Sequence, residues 1–152
     1  MKEIIFRKWE LRDIAALTEL RILQLTEEGA ETTADITNDL SNFYQRHFAD
    51  GVFVSWVATV NDKIVAASGI SFTEKPPYYS NPTGRIGLLS MMYTVPAYRR
   101  MGIAKRLLGL IVNEAKDYGC GSVQITASDM GAHLYQNFGF ERGGKFFQYE
   151  IN

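Results

Sequence analysis

The sequence predicts an α/β fold built on one mixed sheet. Three observations support this. Apolar, β-branched runs alternate with stretches of helical periodicity. One run, Ile86 to Val95, is almost continuously apolar, which is typical of a strand buried on both faces. No internal repeat interrupts this order. The chain has 152 residues, so we expect a single domain over residues 1–152.

The first third of the chain predicts one strand and two helices. Ile4 to Arg7 is short and β-branched, and indicates an opening strand. A helix is expected from about Glu10 to Glu28, with Asp13 favouring the positive end of its dipole. A second helix is expected from Asp35, a good cap, to about Asp50.

A hairpin and an irregular loop follow. The runs Val52 to Val60 and Lys63 to Phe72 are rich in β-forming residues, and Asn61-Asp62 between them is typical of a tight hairpin turn. Residues 73–85 contain three of the four prolines, which indicates a surface loop before the apolar central strand.

The last third predicts two more helices among short strands. The periodicity indicates a helix from Gly102 to about Tyr118, a strand from Val123 to Ala127 and a short helix from Gly131 to Asn137. Residues 140–151, with glycines at 143 and 144, are expected to form a closing hairpin.

Composition excludes several classes of partner. The formal net charge is −1, so no field would recruit nucleic acid or anionic lipid, and neither is expected as a partner. No run approaches the roughly 20 apolar residues that cross a membrane. Cys120 is the single cysteine, and no histidine cluster accompanies it, so no metal site is predicted. We expect a cytoplasmic protein.

The turn after the central strand has the features of a phosphate-binding site. A helix that begins near Gly102 exposes unpaired backbone N–H groups and a partial positive charge. Glycine lets a diphosphate approach the backbone without a Cβ in the way. Arg99 and Arg100 add cations that can pair with the same phosphates.

Two motifs give this turn a family context. Residues 93–104, YTVPAYRRMGIA, are followed by Leu107-Leu108 and resemble the GCN5-related N-acetyltransferase (GNAT) family, whose cofactor motif is Q/R-x-x-G-x-G/A. A second motif of that family lies about thirty residues on, at 134–141, LYQNFGFE. The resemblance covers nearly the whole chain. It implies a single GNAT-like domain with a mixed, largely antiparallel central sheet, about four flanking helices and a V-shaped opening between the two central strands.

The resemblance also implies acetyl-CoA as cofactor and assigns residues to it. The turn should hold the pyrophosphate, the end of the central strand should pair with the pantetheine arm, and Tyr135 should donate a proton to the departing thiolate. The family often has Asn at the position of Ser128, which is a shorter donor. The implied cofactor-binding residues are Met92, Tyr93, Thr94, Arg99, Arg100, Met101, Gly102, Ile103, Ala104, Lys105, Ser128 and Tyr135.

The general base is not supplied by the motif. Some members carry Glu on the central strand, where this chain has Leu88, which cannot accept a proton. An amine near pKa 10.4 is almost entirely protonated at neutral pH, so it must lose a proton before it attacks. We expect water held by Ser90 and a carboxylate at the first helix end, Glu27 or Glu28, to relay that proton.

The acceptor pocket in this family lies between the first two helices and the loop before the central strand. Aromatic and acidic side chains there would suit a small cationic amine of the amino acid, polyamine or aminoglycoside type. The candidates are Glu27, Tyr44, His47, Tyr78, Tyr79, Ser80 and Asn81.

The sequence therefore favours an N-acetyltransferase in which a primary amine attacks the thioester directly. The alternatives are an acyl-CoA-binding sensor or interaction module without catalysis, and a protein or peptide N-acetyltransferase. A nucleotide-binding domain is disfavoured, because no G-x-G-x-x-G or Walker motif follows any strand. A homodimer could pair through the edge of a C-terminal strand.

Overall fold

A computed structural model describes residues 2–126, 131–143 and 146–151, and its architecture confirms the predicted α/β class. Strands and helices alternate much as the sequence predicts. The strands are β1 (Ile5–Lys8), β2 (Phe53–Val54), β3 (Trp56–Val60), β4 (Lys63–Glu74), β5 (Arg85–Thr94) and β6 (Ser122–Ile125). The α-helices of the described residues are α1 (Ile14–Glu27), α2 (Thr37–Asp50), α3 (Ile103–Tyr118) and α4 (Ala132–Phe138).

The strands form one mixed, largely antiparallel sheet. Its order is β1-β3-β4-β5-β6, and β2 pairs with β4 beside β3. Each pairing is antiparallel except that of β5 with β6, which is parallel. The sheet type expected from the sequence is therefore confirmed, and its one parallel pair lies where the resemblance places the opening.

The hairpin between β3 and β4 forms at the predicted turn. Asn61 and Asp62 have φ of 50° and 63°, the left-handed values that a tight type I′ connection requires. Asparagine and aspartate tolerate this region better than other side chains do. The turn therefore sets the register of β3 and β4 from a local signal.

Helices cover both faces of the sheet. On one face, α1 and α2 pack through Leu17 and Tyr44 against Val57 of β3. On the other face, α3 buries Leu107, Leu108 and Ile111 completely. Each such side chain contributes about 1.5–3 kcal/mol when it leaves water. None of the helices described here is long and apolar enough to cross a membrane.

A buried ion pair fixes the start of α1. A 3₁₀ turn, Leu11–Asp13, precedes the helix, and Asp13 is only 5% exposed. Its carboxylate accepts hydrogen bonds from both terminal nitrogens of Arg7, at 2.7 and 2.9 Å, and from the backbone N–H of Glu10 at 2.7 Å. The contact ties α1 to β1.

The C-terminal hairpin expected over residues 140–151 is not formed by the described residues 140–143 and 146–151, which contain no strand. The glycines at 143 and 144 suggested this hairpin, but Phe147, Tyr149 and Ile151 are each more than 90% exposed. A strand is stabilised when one of its faces is buried, and these side chains cover no face of the sheet.

Replacement of Asp13 by Ala is expected to lower the free energy of unfolding by about 2–3 kcal/mol, because Arg7 and the Glu10 amide lose a mostly buried partner. Burial raises the pKa of Asp13, but the bonds from Arg7 and Glu10 outweigh this and lower it. The stabilisation that the Asp13 carboxylate gives the fold is therefore present above the usual carboxyl pKa. It is lost as the pH falls through the lower pKa of Asp13 in the folded state.

Urea denaturation of wild type and D13A at neutral and acidic pH measures this effect. The exposed Asp117, near the end of α3, supplies the matched control D117A, which should change stability by less than about 0.5 kcal/mol. Equal losses in both variants at neutral pH would contradict the role assigned to Asp13.

Candidate active site

The described residues form a cleft of about 720 Å³ where β5 and β6 separate. Their pairing runs from Ile86 with Ser122 to Leu89 with Ile125 and then stops, while β5 continues to Thr94. Beyond Leu89, β5 is paired with β4 alone, and its other edge faces the cleft. This volume lies within the range of small-molecule and cofactor sites.

The cleft collects residues from six segments of the fold: the end of α1, the end of β5, the turn that follows it, the start of α3, the residue after β6, and α4 with the residue before it. The lining residues are Gln24, Glu27, Glu28, Leu89, Ser90, Met92, Tyr93, Thr94, Tyr98, Arg99, Arg100, Gly102, Ile103, Ala104, Lys105, Thr126, Gly131, Leu134 and Tyr135.

The turn between β5 and α3 has the geometry of an anion site. The first helical hydrogen bond joins the Arg106 N–H to the Gly102 carbonyl at 3.2 Å, so the N–H groups of residues 102–105 have no partner within the helix. Gly102 has φ of +79°, and a Cβ built there would meet no atom within 4 Å. The turn therefore presents donors that have no partner among the described residues, and Arg100 and Lys105 line the same cleft.

The Arg99 side chain is engaged by the protein itself. Its Nε donates to the Thr94 carbonyl at 2.8 Å, and its Nη2 lies 2.7 Å from Glu27 Oε1. The guanidinium carbon also lies 5.5 Å from the centre of the Tyr93 ring. The sequence suggested that both arginines pair with phosphates, whereas the structure gives Arg99 a second set of partners.

The open edge of β5 has its carbonyl groups capped by side chains. Ser90 O accepts from Arg21 Nη1 at 2.7 Å, and Met92 O accepts from Gln24 Nε2 at 3.4 Å. Thr94 O is capped by Arg99, as described. Since N–H and C=O of one residue share an edge in a regular ladder, the N–H groups of Met92 and Thr94 face the cleft.

Tyr135 and Glu28 both line the cleft, Tyr135 from α4, which packs with α3, and Glu28 from the end of α1 in the other core cluster. Tyr135 on α4 is 7% exposed and packs edge-on against Phe140. Burial, with a smaller contribution from the Glu28 carboxylate, raises the pKa of Tyr135 to about 12. The phenol is therefore fully protonated at neutral pH, and a carboxylate lies near enough to influence it.

Most predicted cofactor residues meet in the cleft, but the proposed acceptor residues largely do not. Tyr44 is 3% exposed and packs among Trp9, Phe43 and Phe53. Asn81 is 2% exposed and bonds within its own loop. Beside it, Tyr78 and Tyr79 are exposed and, like His47 and Ser80, do not line the cleft.

The remaining positions singled out in the sequence are Met101, Ser128 and Leu88. Met101 is 58% exposed and turns away from the cleft lining. Ser128 lies outside the described residues. Leu88 pairs with Gln124 just before the opening, so no carboxylate enters the cleft from that strand position.

Sequence reasoning missed Arg21 and Gln24, which cap the β5 edge. Their signal was present, because Arg21, Gln24 and Glu27 are three residues apart and share one side of α1. It also missed a group of cleft-lining residues that carry no motif of their own. These are Leu89, Tyr98, Thr126, Gly131 and Leu134.

Comparison with known proteins agrees with this geometry. A predicted acetyltransferase from Clostridium acetobutylicum, solved with acetyl-CoA, is 34% identical, with a TM-score of 0.93 over 97% of this chain and 96% of its own. An aminoglycoside N-acetyltransferase, AAC(6')-Iy in complex with CoA, is 14% identical, with a TM-score of 0.79 over 99% of this chain and 96% of its own, and shows the fold alone.

Curated relatives match a large part of the chain. N-acetyltransferase family 8 member 2 of Rattus norvegicus is 30% identical over 118 residues, which are 75% of this chain and 46% of that protein. This chain thus spans about half the length of the curated relatives it matches.

The fold and the cleft together define an acyl-CoA-dependent transferase domain. The family model for the Acetyltransferase (GNAT) family matches residues 14–140, and this chain belongs to that family. Membership makes it an acyltransferase domain that uses acetyl-CoA, and confirms the family and cofactor expected from the two motifs.

Gly102→Ala is expected to weaken coenzyme A binding at least tenfold. The methyl group would project from the turn, and its left-handed backbone costs about 1 kcal/mol for a residue with a Cβ. Isothermal titration calorimetry with coenzyme A measures the change in affinity, and urea denaturation measures the change in stability.

The same helix offers a matched control. Gly109 lies in the interior of α3, where a Cβ would meet no atom within 4 Å. Gly109→Ala should leave coenzyme A affinity unchanged and raise stability by up to about 1 kcal/mol. If both substitutions had the same effect on affinity, the turn would not be the diphosphate site.

Proposed function

We propose that this chain is an acetyl-CoA-dependent N-acetyltransferase that moves an acetyl group to a primary amine of a small molecule by direct attack. The observation that carries the proposal is that Glu28 and Tyr135 both line the cleft at the open β5 edge, although they come from helices packed in different core clusters, one with α1 and one with α3. One offers a proton acceptor and the other a hydrogen-bond donor, the two groups that the transfer of an acetyl from sulfur to nitrogen requires.

The residues of the cleft fit coenzyme A. The unpaired N–H groups of residues 102–105, with Arg100 and Lys105, would hold the pyrophosphate. The N–H groups of Met92 and Thr94 offer donors for amide or thioester carbonyls along the strand edge. Acetyl-CoA, when bound, supplies the acetyl group as a thioester.

Glu28 is the better candidate for the general base, and Glu27 is the poorer one. Both oxygens of Glu27 are engaged, by the Tyr93 hydroxyl and by Arg99, and these bonds lower the pKa of Glu27. Among the described residues, Glu28 receives a single hydrogen bond, from Gln24 Nε2 at 3.4 Å. Its carboxylate is therefore open to take a proton from an ammonium, through water that Ser90 helps to hold.

Tyr135 acts on the leaving group as a donor of a hydrogen bond. A phenol whose pKa is about 12 is a weaker acid than a thiol of pKa about 8.5, so complete transfer of its proton to sulfur is uphill. A hydrogen bond from Oη to the departing sulfur stabilises the negative charge without that transfer. This refines the general-acid role that the sequence suggested.

The charge of the acceptor side favours an amine with more than one positive charge. Between Ile22 and Gln45 the chain carries five carboxylates and no Lys or Arg. Two of them line the cleft: Glu27, whose charge is paired with Arg99, and Glu28, which has no cationic partner among the described residues. Among the amine classes expected from the sequence, this favours polyamines and aminoglycosides over amino acids, whose carboxylate would be repelled.

A panel of amines tests the proposal. Free thiol released from acetyl-CoA is measured with polyamines, aminoglycosides, amino acids and a lysine peptide. Turnover is expected with the first two. Turnover with the peptide alone would identify a peptide acetyltransferase, and coenzyme A binding without any turnover would identify a sensor. The cytoplasmic location and the homodimer remain predictions from the sequence.

Glu28→Gln is expected to lower kcat by 10²-fold or more near neutral pH, because the removal of a positioned base costs about 10²–10⁴-fold. The remaining rate should rise with pH as the fraction of free amine in solution rises. Glu31→Gln, an exposed carboxylate three residues on that does not line the cleft, is the matched control. A Glu28 variant with the wild-type pH profile would refute the role.

Tyr135→Phe is expected to lower kcat by about 10²-fold, with a small change in coenzyme A affinity, because one positioned donor to a developing charge is lost. Tyr118→Phe is the control, since Tyr118 stacks on Phe72 outside the cleft. Single-turnover thiol release separates this loss from slow product release. Equal rates for both variants would remove Tyr135 from the mechanism.

A further inference from the structure

Glu27 joins the acceptor-side helix to the cofactor-binding turn. Its Oε2 accepts from the Tyr93 hydroxyl at 2.7 Å, and its Oε1 lies 2.7 Å from Arg99 Nη2. Arg99 is held a second time through its Nε, which donates to the Thr94 carbonyl at 2.8 Å. One carboxylate at the end of α1 thus connects the last residues of β5 with the first residue of the turn.

The turn contains left-handed backbone, which its surroundings must hold in place. Arg100, the next residue, has φ of 63°, a left-handed value that is strained for a residue with a side chain. Gly102 is also left-handed, with φ of 79°. A strained backbone persists when its surroundings fix it on both sides. Here α3 fixes the end of the turn, and the contacts of Arg99 fix its beginning.

We propose that Glu27 is a positioning residue for coenzyme A. By holding Arg99 and Tyr93, its carboxylate keeps the turn in the conformation whose N–H groups meet the pyrophosphate. Glu27 neither contacts the cofactor phosphates nor takes the substrate proton. It acts through Arg99, from a helix that otherwise belongs to the acceptor side of the cleft.

If Glu27 acted on coenzyme A through its charge alone, its removal would change the affinity in the opposite direction. Coenzyme A is an anion, so removal of a carboxylate beside its site should strengthen binding. Loss of a preorganised turn should weaken it, because the ordering must then be supplied on binding. The sign of the change in affinity therefore distinguishes positioning from a simple charge effect.

Two substitutions at the same position separate the roles. Glu27→Met keeps the length of the side chain and removes both acceptors. Glu27→Gln removes the same charge, but its amide can accept from Arg99 and donate to the Tyr93 oxygen. We expect the Kd for coenzyme A, measured by calorimetry without amine, to rise about tenfold in E27M, equivalent to about 1.4 kcal/mol, and less than threefold in E27Q.

A control variant and a double-mutant cycle with Arg99 test whether Glu27 acts through that arginine. Glu19→Met, on an exposed position of the same helix, should not change the Kd. In an Arg99→Met background, E27M should cause little further loss, because Glu27 then has no arginine to position. In turnover, the E27M defect should lie mainly in the KM for acetyl-CoA rather than in kcat.

Equal Kd values for E27M and E27Q, or additive losses in the cycle, would overturn the proposal. An equal fall in kcat for both variants at saturating acetyl-CoA would instead make Glu27 the base. The binding measurements need no acceptor and no turnover, so their failure is distinct from a failure of the proposed function. The cycle compares folded variants only, as verified by their thermal unfolding.

Discussion

The end of the parallel pairing between β5 and β6 is the constraint on which the site depends. After Leu89 and Ile125 the two strands no longer bond, and β5 would be left with unpaired carbonyls inside the fold. Such groups are costly unless they find donors. Side chains supply them at Ser90, Met92 and Thr94. The sheet can therefore remain open without a second strand to close it.

The same capping determines that the cleft binds hydrogen-bond acceptors. Once its carbonyls are covered by donors from Arg21, Gln24 and Arg99, the open edge presents N–H groups to any incoming ligand. An edge of this kind selects acceptor atoms, such as amide, thioester and phosphate oxygens. The start of α3 continues the same preference into the turn. A ligand that places acceptors along an extended arm and ends in phosphates matches the whole surface.

Local signals made the frame of this fold predictable from sequence. The Asn61-Asp62 hairpin, the apolar β5 and the Gly102 turn each follow from residues adjacent in the chain. The features that the sequence did not predict depend on contacts between residues far apart in the chain. Arg99 meets Glu27 across 72 positions, so no local pattern shows that the arginine is already engaged. The family resemblance put Tyr44 among the acceptor candidates but could not show that aromatic core residues cover it.

Glu27 and Glu28 show how adjacent, identical residues acquire different roles. Successive residues on a helix point about 100° apart. One carboxylate therefore turns toward Tyr93 and Arg99, and the other toward the side of Tyr135. The pair of Glu27 with Arg99 also neutralises charge between the two halves of the cleft. An anionic donor and a cationic amine would otherwise each be attracted to the other's binding groups. With that boundary neutral, Arg100 and Lys105 remain for the phosphates, and Glu28 remains for the amine.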